Sequence, residues 1–387
     1  MNDMTSGGTM SAAEHARVMA AYIEAGVARA REIGNRGPVR RGADGRLAAD
    51  ILAAYGEHGF YVFEGVIGSE ELTELRADVE RVLRHAPATP DSATDAQGRP
   101  ALGLEFRRPS FRFAKPLSDP RGGTSVNKGR HPVKMVNPTP SADAPEWTVE
   151  NLYGNLQIMD TALRLYGHPD LLAVADAVLG PDFVPYNEPS FVKEPGLGPS
   201  VAWHQDGTTH WDAPDWDHEA HGFNFMAQLY PSTAGNGVWI LPGSHKLGKV
   251  DIKRLVAESG SERIEGAMPL LCEAGDVFIL NRQVVHGSFA NSSPDRRVTL
   301  NEGFFPRRRV ENVTTTKLDG ETVTYDTAHI VERSRMIAIA IDARRQRFPE
   351  ETPYCYRPLA GQEDANRWNE QTRRTVVKDY NLRDMYI

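Results

Sequence analysis

The chain has 387 residues, 40% of them hydrophobic, which allows a large core and is typical of a soluble, enzyme-sized globular protein. A formal charge of −8 leaves no surplus of Lys and Arg for phosphate backbones, so nucleic acid is not an expected partner. Neither an apolar run of about 18 residues nor a secretory signal is visible, so the sequence predicts a cytoplasmic protein without a membrane partner.

The N-terminal third alternates helices and a strand. Apolar residues at helical spacing predict a helix over residues 12–33, and the Gly- and Arg-rich residues 34–45 predict a linker. Residues 47–55 and 69–83 predict two more helices, with the aromatic, β-branched strand 59–63 between them.

Residues 86–146 form a basic insertion with little periodic pattern. Its central part contains eight Lys or Arg residues against two acidic residues, an excess of six positive charges in an acidic chain. The eight are Arg107, Arg108, Arg112, Lys115, Arg121, Lys128, Arg130 and Lys134. Two interpretations stand side by side: a solvated surface insertion, or a lid whose clustered charge attracts an anionic substrate.

The central part of the chain changes to short apolar runs. Residues 155–159 predict a strand, and residues 169–179 predict a helix with Pro at its start and Gly after its end. Gly, Pro and Asn turns then separate the runs 190–193, 223–230, 238–241, 276–280 and 297–305. Such a pattern favours an antiparallel barrel or jelly roll. Farther on, the sequence predicts a hairpin around Asp319-Gly320 and a helix over residues 328–347.

One short motif carries the candidate chemistry. His204 and Asp206 stand two residues apart, so on a strand both side chains point to one face and can bind one metal ion. His286 is the candidate third ligand, because the turn and strand of residues 275–280 would deliver it to the opposite wall of the same barrel. Two histidines and one carboxylate on one face of a metal are typical of non-haem Fe(II) oxygenases.

A nearby arginine suggests a co-substrate. Alternation on the predicted strand 297–301 places Arg297, Thr299 and Asn301 on one face. A buried guanidinium requires an anion and binds carboxylates with two parallel hydrogen bonds. An organic acid that chelates iron at one end and is held by Arg297 at the other fits both features, and 2-oxoglutarate is such an acid.

With these residues in place, the sequence resembles the phytanoyl-CoA dioxygenase-like family of Fe(II)- and 2-oxoglutarate-dependent oxygenases. The resemblance covers about residues 47–307 and includes the helix and strand patterns at its start. Its motifs are Phe191-Val192-Lys193-Glu194-Pro195-Gly196, Trp203-His204-Gln205-Asp206, Gly235-Asn236-Gly237, Leu241-Pro242-Gly243-Ser244-His245-Lys246 and His286-Gly287-Ser288.

The resemblance implies a fold and a set of site residues. The fold is mainly β with flanking helices (α+β), a double-stranded β-helix or jelly roll. The implied iron ligands are His204, Asp206 and His286. Arg297 is implied to hold the far carboxylate of 2-oxoglutarate, with Ser288 and either Lys193 or Gln157 as further co-substrate contacts.

The resemblance also organises the domains. Residues 1–45 are assigned to an N-terminal helix and linker, residues 46–310 to the oxygenase domain with its insertion, and residues 311–387 to a C-terminal extension packed on the barrel. The insertion and the extension depart from the family's human namesake, so phytanoyl-CoA is not carried over as a substrate. Related halogenating enzymes have a small residue in place of the carboxylate, so Asp206 favours oxygen transfer.

The predicted function is hydroxylation, or a related oxidation, of a small organic and possibly anionic molecule, with Fe(II), 2-oxoglutarate and O₂ as cofactor and co-substrates. Two alternatives stay open: a non-catalytic binding or sensing module, in which Arg297 need not persist, and a zinc hydrolase, in which Arg297 has no role. His245 is interpreted as structural. His210, His218 and His221 are interpreted as loop residues near the substrate mouth.

Overall fold

The computed structural model describes residues 10–186, 188–207, 211, 220–317 and 319–387. Of the loop histidines, His210 and His218 therefore lie outside the described residues, whereas His221 is buried. The strands are β1 (Arg36–Gly37), β2 (Phe60–Phe63), β3 (Phe111–Ala114), β4 (Thr148–Leu152), β5 (Phe183–Pro185), β6 (Ser190–Lys193), β7 (Val201–His204), β8 (Phe223–Gln228), β9 (Trp239–Ile240), β10 (Met268–Pro269), β11 (Val277–Asn281), β12 (His286–Ser288), β13 (Arg297–Pro306), β14 (Thr314–Thr316) and β15 (Thr322–Thr324).

The strands form two main sheets. The larger sheet has the order β1-β2-β11-β8-β13-β6-β4-β3, with β5 also paired to β13, and the smaller has the order β10-β9-β12-β7. Apart from the parallel pair of β1 and β2, the strand pairs of both sheets are antiparallel. The predicted mainly β jelly roll with flanking helices is confirmed. Among the described residues, strand pairing does not join the two sheets, so the jelly roll is open rather than a closed barrel.

Helices flank both sheets. They are α1 (Ala12–Ile33), α2 (Ala49–His58), α3 (Ser69–Arg84), α4 (Asn155–Ile158), α5 (Asp160–Tyr166), α6 (Pro169–Leu179), α7 (Ile252–Glu258), α8 (Thr327–Arg347) and α9 (Glu370–Thr372). None of the helices in the described ranges combines the length and the apolar character that a bilayer span requires.

The larger sheet is covered on both faces. Phe304 on β13 stacks on Tyr166 of α5, with ring centroids 5.1 Å apart, and Val298 and Leu300 share that core. The alternate residues of the same strand, among them Arg297 and Asn301, line a cavity together with residues of the smaller sheet. Period-two alternation therefore separates an apolar core from a polar cavity along one strand.

Helix α1 covers the outer face of the smaller sheet. Tyr22 stacks on Trp239 of β9 at 4.5 Å between ring centroids. A Cβ on Gly26 would lie 2.5 Å from the Trp239 ring, so this glycine allows the helix to approach closely. Ser11 and Glu14 form a capping box that fixes the start of the helix.

Several predicted elements are confirmed and others are corrected. Helices α1 and α6, the hairpin of β14 and β15, and helix α8 agree with the predictions. Residues 155–159 are wrong as a strand, because Gly154 has φ +72° and starts the short helix α4. The expected linker 34–45 contributes β1 to the larger sheet. Of the two cysteines, Cys272 is buried and Cys355 is exposed.

Two buried acids lie within the core beside the larger sheet. Burial raises the pKa of Glu188 to about 7, and burial together with Glu188 raises the pKa of Glu302 well above its usual range. Both oxygens of Glu302 and Oε1 of Glu188 are buried without a hydrogen-bond partner. A protonated acid tolerates such a setting better than a carboxylate does.

We expect Glu188 to make the stability of the protein depend on pH. Since its folded-state pKa is raised, its contribution is fully present below about pH 4.5 and is lost as the pH rises to about 7. A shift of that size corresponds to roughly 3 kcal/mol. Urea unfolding of Glu188→Gln should show a smaller decrease in the free energy of unfolding between these pH values, whereas the exposed control Glu105→Gln should follow the wild type.

Candidate active site

The three predicted metal ligands meet at one point between the sheets. Strands β7 and β12 pair antiparallel with His204 opposite His286, so their side chains are direct cross-strand neighbours. The His204 and His286 ring centroids lie 4.1 Å apart, and one donor atom from each of His204, Asp206 and His286 lies within 4.8 Å of the others. His286 thus stands beside His204 in the smaller sheet, and the predicted delivery to an opposite barrel wall is wrong.

Both imidazoles are oriented by their own backbone. Nδ1 of His204 lies 2.9 Å from the Ala202 carbonyl, and Nδ1 of His286 lies 2.9 Å from the Val284 carbonyl. A carbonyl accepts only, so Nδ1 carries the proton in each ring and Nε2 keeps its lone pair for a metal. Burial lowers the pKa of His204 to about 4 and also lowers that of His286, so both rings are neutral at pH 7.

Asp206 completes the donor set as a carboxylate. Burial alone would raise its pKa, but the close contacts with His204, His286 and Arg130 hold the pKa of this carboxyl well below its usual range. Its Oδ1 lies 3.5 Å from Nε2 of His204 and 3.5 Å from Nη1 of Arg130. Asn224 on β8 donates a 2.9 Å hydrogen bond to Oδ2. Two neutral nitrogens and one carboxylate suit a divalent metal ion.

Arg297 lies in the same cavity with hydrogen-bonding capacity left over. Its Nε donates to Thr299 at 2.9 Å and its Nη1 to the Asn236 carbonyl at 2.7 Å. A guanidinium has five N–H donors, so three remain. Burial lowers the pKa of Arg297 to about 10, which leaves it charged at pH 7. No carboxylate of the described residues forms an ion pair with it, which fits the predicted carboxylate of 2-oxoglutarate.

The cavity encloses about 180 Å³ and brings most predicted site residues together. The predicted residues on its wall are His204, Asp206, His286, Ser288 and Arg297. Lys193 and Gln157 lie outside this lining: the Lys193 Nζ donates to the Phe289 carbonyl at 2.5 Å, and the Gln157 amide donates to the Lys378 carbonyl. Their predicted contacts with the co-substrate stay predictions.

The basic insertion supplies much of the remaining wall, but its charge is largely paired. Five of its eight cations line the cavity, namely Arg108, Arg112, Arg121, Lys128 and Arg130. Glu150 pairs with Arg121 at 2.7 Å and with Arg112 at 3.5 Å, and Asp384 pairs with Arg108. Counting charges in the sequence therefore overstates the positive field, since it omits acids that the fold brings in from elsewhere.

Several cavity residues were missed by sequence reasoning. Asn224 orients Asp206, His131 packs on His204 with ring centroids 4.3 Å apart, and Tyr386 closes one side of the cavity. Asn224 and Met226 alternate along β8 and both line the cavity. Alternation on this predicted strand is therefore a sequence signal for Asn224. His131 and Tyr386 come from segments without periodicity, so only the tertiary structure places them.

Removing the Asn224 side chain should loosen the metal site. Without its hydrogen bond, Asp206 can rotate out of the geometry it needs, and such supporting contacts are typically worth about 10- to 100-fold in metal affinity. Anaerobic Fe(II) titration of Asn224→Ala should therefore give a higher Kd than wild type. Wild-type affinity in a folded variant would contradict this role.

Comparison with known proteins agrees with this geometry. The family model of phytanoyl-CoA dioxygenase (PhyH) matches residues 55–299, more than half of the chain. The chain belongs to the phytanoyl-CoA dioxygenase family. The predicted family is thereby confirmed, and the match agrees with the predicted enzyme class, a 2-oxoglutarate-dependent non-haem iron enzyme. All three candidate metal ligands and Arg297 fall inside the matched segment.

The individual proteins to which the chain is similar share little sequence identity with it. Phytanoyl-CoA dioxygenase 1 of Oryza sativa subsp. japonica is 30% identical over 119 residues, which cover 28% of this chain and 40% of the rice protein. EctD from S. alaskensis, solved with 2-oxoglutarate and 5-hydroxyectoine, is 20% identical over 70% of this chain and 82% of its own, with a TM-score of 0.47. SnoN, a non-heme alpha ketoglutarate dependent epimerase from nogalamycin biosynthesis, is 16% identical over 66% of this chain and 80% of its own, with a TM-score of 0.43.

Proposed function

We propose that this protein is an Fe(II)- and 2-oxoglutarate-dependent dioxygenase that hydroxylates a small organic molecule carrying an anionic group. The observation that carries the proposal is the convergence of two neutral imidazoles and a carboxylate, within 4.8 Å, in a cavity that also contains Arg297. The PhyH family match supports the same reaction class.

In this proposal His204, Asp206 and His286 hold the iron. The fixed Nδ1–H bonds keep both Nε2 atoms directed at one point, and Asn224 keeps the carboxylate in place. When bound, iron and 2-oxoglutarate together supply O₂ activation, with succinate and CO₂ as the products of the co-substrate. These three side chains would hold the iron and leave it accessible to 2-oxoglutarate and O₂.

Arg297 would hold the far carboxylate of 2-oxoglutarate, with Ser288 as a second contact on the same wall. Thr299 accepts a hydrogen bond from the Arg297 Nε and donates to Gln228 at 2.9 Å, so the guanidinium is held before the co-substrate arrives. Such preorganisation reduces the entropy lost on binding. The candidate ligands and Arg297 are buried, and burial strengthens charged contacts.

The direct test is anaerobic loading of the protein with Fe(II) and 2-oxoglutarate, followed by O₂. We expect a weak visible charge-transfer band before O₂ and release of succinate afterwards, increased by the correct substrate. A band without succinate release under any substrate panel would favour a binding module. The absence of both band and succinate release from iron-loaded wild type would overturn the proposal, and hydrolysis without 2-oxoglutarate would point to zinc chemistry.

A further inference from the structure

A left-handed turn holds basic side chains against the candidate active site. Asn127, Lys128 and Gly129 have φ values of +53°, +57° and +72°, so three consecutive residues adopt the left-handed conformation. Residues other than glycine are disfavoured in the left-handed conformation, and such backbone strain is concentrated at binding sites and active sites. The turn therefore requires an explanation beyond chain reversal.

Lys128 lies on the cavity wall without a carboxylate partner. Its one hydrogen bond is a long contact of 3.4 Å from Nζ to Oγ1 of Thr315, and no acid of the described residues pairs with it. Removal from water lowers the pKa of its ammonium group, and no neighbouring charge offsets this effect. Lys128 is exposed and has no acidic partner among the described residues, so its ammonium group is accessible to an external anion.

The two residues after the turn also have unused polar atoms. Arg130 directs Nη1 toward Asp206 at 3.5 Å, while its Nε is buried without a hydrogen-bond partner. His131 likewise has a buried Nδ1 without a partner. Buried polar atoms in folded proteins are nearly always paired, so unpaired ones concentrated on a cavity wall indicate a missing ligand.

The other cations that the basic insertion contributes to the wall have acidic partners. Glu150 pairs with Arg112 and Arg121, and Asp384 pairs with Arg108. Within the insertion, Lys128 is therefore the wall cation that lacks an acidic partner among the described residues, and it lies beside Arg130. Both side chains also line a neighbouring cavity, together with Lys249, Lys253 and Asp251.

We propose that Lys128, Arg130 and His131 form the subsite for the acidic group of the primary substrate. A carboxylate, phosphate or sulfate group bound there would lie beside Asp206, the carboxylate among the candidate iron ligands. The neighbouring carbon atoms of a small acid would then lie within the cavity. The substrate class is accordingly a compact organic acid. This inference rests on the proposed function, because the bound acid is taken to be the substrate of that reaction. Anion binding itself is measured independently of turnover.

The test uses Lys128→Asn, because asparagine tolerates the left-handed conformation and removes the charge. Sulfate binding is measured from melting temperatures at constant ionic strength, with chloride as the replaced salt, in protein loaded anaerobically with Fe(II) and 2-oxoglutarate. We expect sulfate to stabilise the wild type and the sulfate Kd of Lys128→Asn to rise about ten-fold or more. Lys128→Arg should retain binding.

Arg107→Gln is the matched control, since Arg107 belongs to the same insertion, is exposed and lies outside the cavity lining. Its sulfate affinity should equal that of the wild type. A melting temperature of Lys128→Asn at or above the wild-type value, together with the lost affinity, would mark the strained turn as functional rather than structural.

Turnover supplies a second readout. Small acids should increase succinate release while their neutral primary amides do not, and Lys128→Asn should raise the KM of a stimulating acid about ten-fold or more. Sulfate affinity that is unchanged in Lys128→Asn, or reduced equally in Arg107→Gln, would overturn the subsite. A missing charge-transfer band in the wild type would instead count against the proposed function, and the sulfate measurement would still decide the subsite.

Discussion

Replacing His204 with alanine is expected to abolish Fe(II)-dependent succinate release. The site offers three donor atoms within 4.8 Å, and loss of one leaves a histidine and a carboxylate that hold the metal weakly. Because metal catalysis is worth several kcal/mol, we expect a loss of roughly a thousand-fold or more in kcat/KM. Metal content after anaerobic loading and gel filtration should decrease in parallel.

His85→Ala is a suitable control for that loss. His85 is a third exposed and pairs with Asp95 at the end of α3, outside the cavity lining. It should bind iron and turn over like the wild type. Stoichiometric iron and full activity in His204→Ala would show that the metal is held elsewhere, and the proposed site would be wrong.

The second large effect is expected at Arg297 and should appear in the KM for 2-oxoglutarate. Truncation of one partner of a buried, hydrogen-bonded charge pair costs about 2–5 kcal/mol, so Arg297→Ala should raise this KM by roughly 30-fold or more. Arg297→Lys keeps the charge but loses the planar fork, and we expect an intermediate effect. Iron affinity in the absence of 2-oxoglutarate should change little, which separates this variant from those of the metal ligands.

The neighbouring Arg296 provides a matched control. It points to the opposite side of β13 and pairs with Glu80 and, at 2.9 Å, with Glu194. Arg296→Ala removes the same charge one residue away and should leave the KM for 2-oxoglutarate unchanged. Equal increases in both variants would mean that the effect arises from the general field rather than from a direct contact.

Buried polar atoms without hydrogen-bond partners occur in two parts of the protein, and we assign them different roles. Glu188 and Glu302 are buried beside the larger sheet and outside the cavity lining, where proton uptake removes the charge and stability responds to pH. Lys128 and Arg130 line a cavity, where an anion can enter and provide the missing partner. Access to the cavity, rather than burial alone, distinguishes a binding subsite from a titrating core residue.

Sequence reasoning reached the candidate metal ligands in part because local periodicity relates two of them, His204 and Asp206. Alternate residues on an extended chain share a face, which relates His204 to Asp206, two residues on, and Arg297 to Asn301, four residues on. The structure confirms the shared face for the second pair, since both residues line the cavity. Strand β7 ends at His204, so Asp206 lies just beyond the strand. A hydrogen bond from Asn224 of the larger sheet holds its carboxylate beside His204.

The charge of the insertion shows where such reasoning fails. In the sequence, Arg108 and Arg112 count as free cations of one basic segment. In the folded protein Asp384, from the far end of the chain, pairs with Arg108, and Glu150 on β4 pairs with Arg112. Electrostatic pairing depends on distances of a few ångströms, and residues far apart in the chain meet only after folding.

The sequence by itself determined the mainly β architecture, the candidate ligands His204, Asp206 and His286, and Arg297, because these depend on alternation, turn residues and short motifs. Tertiary structure alone decided that His286 stands directly opposite His204, through the strand pairing of β7 and β12. It also showed that Lys128, unlike the other wall cations of the insertion, has no acidic partner among the described residues. Strand register and charge pairing are long-range properties, so no local window of residues contains them.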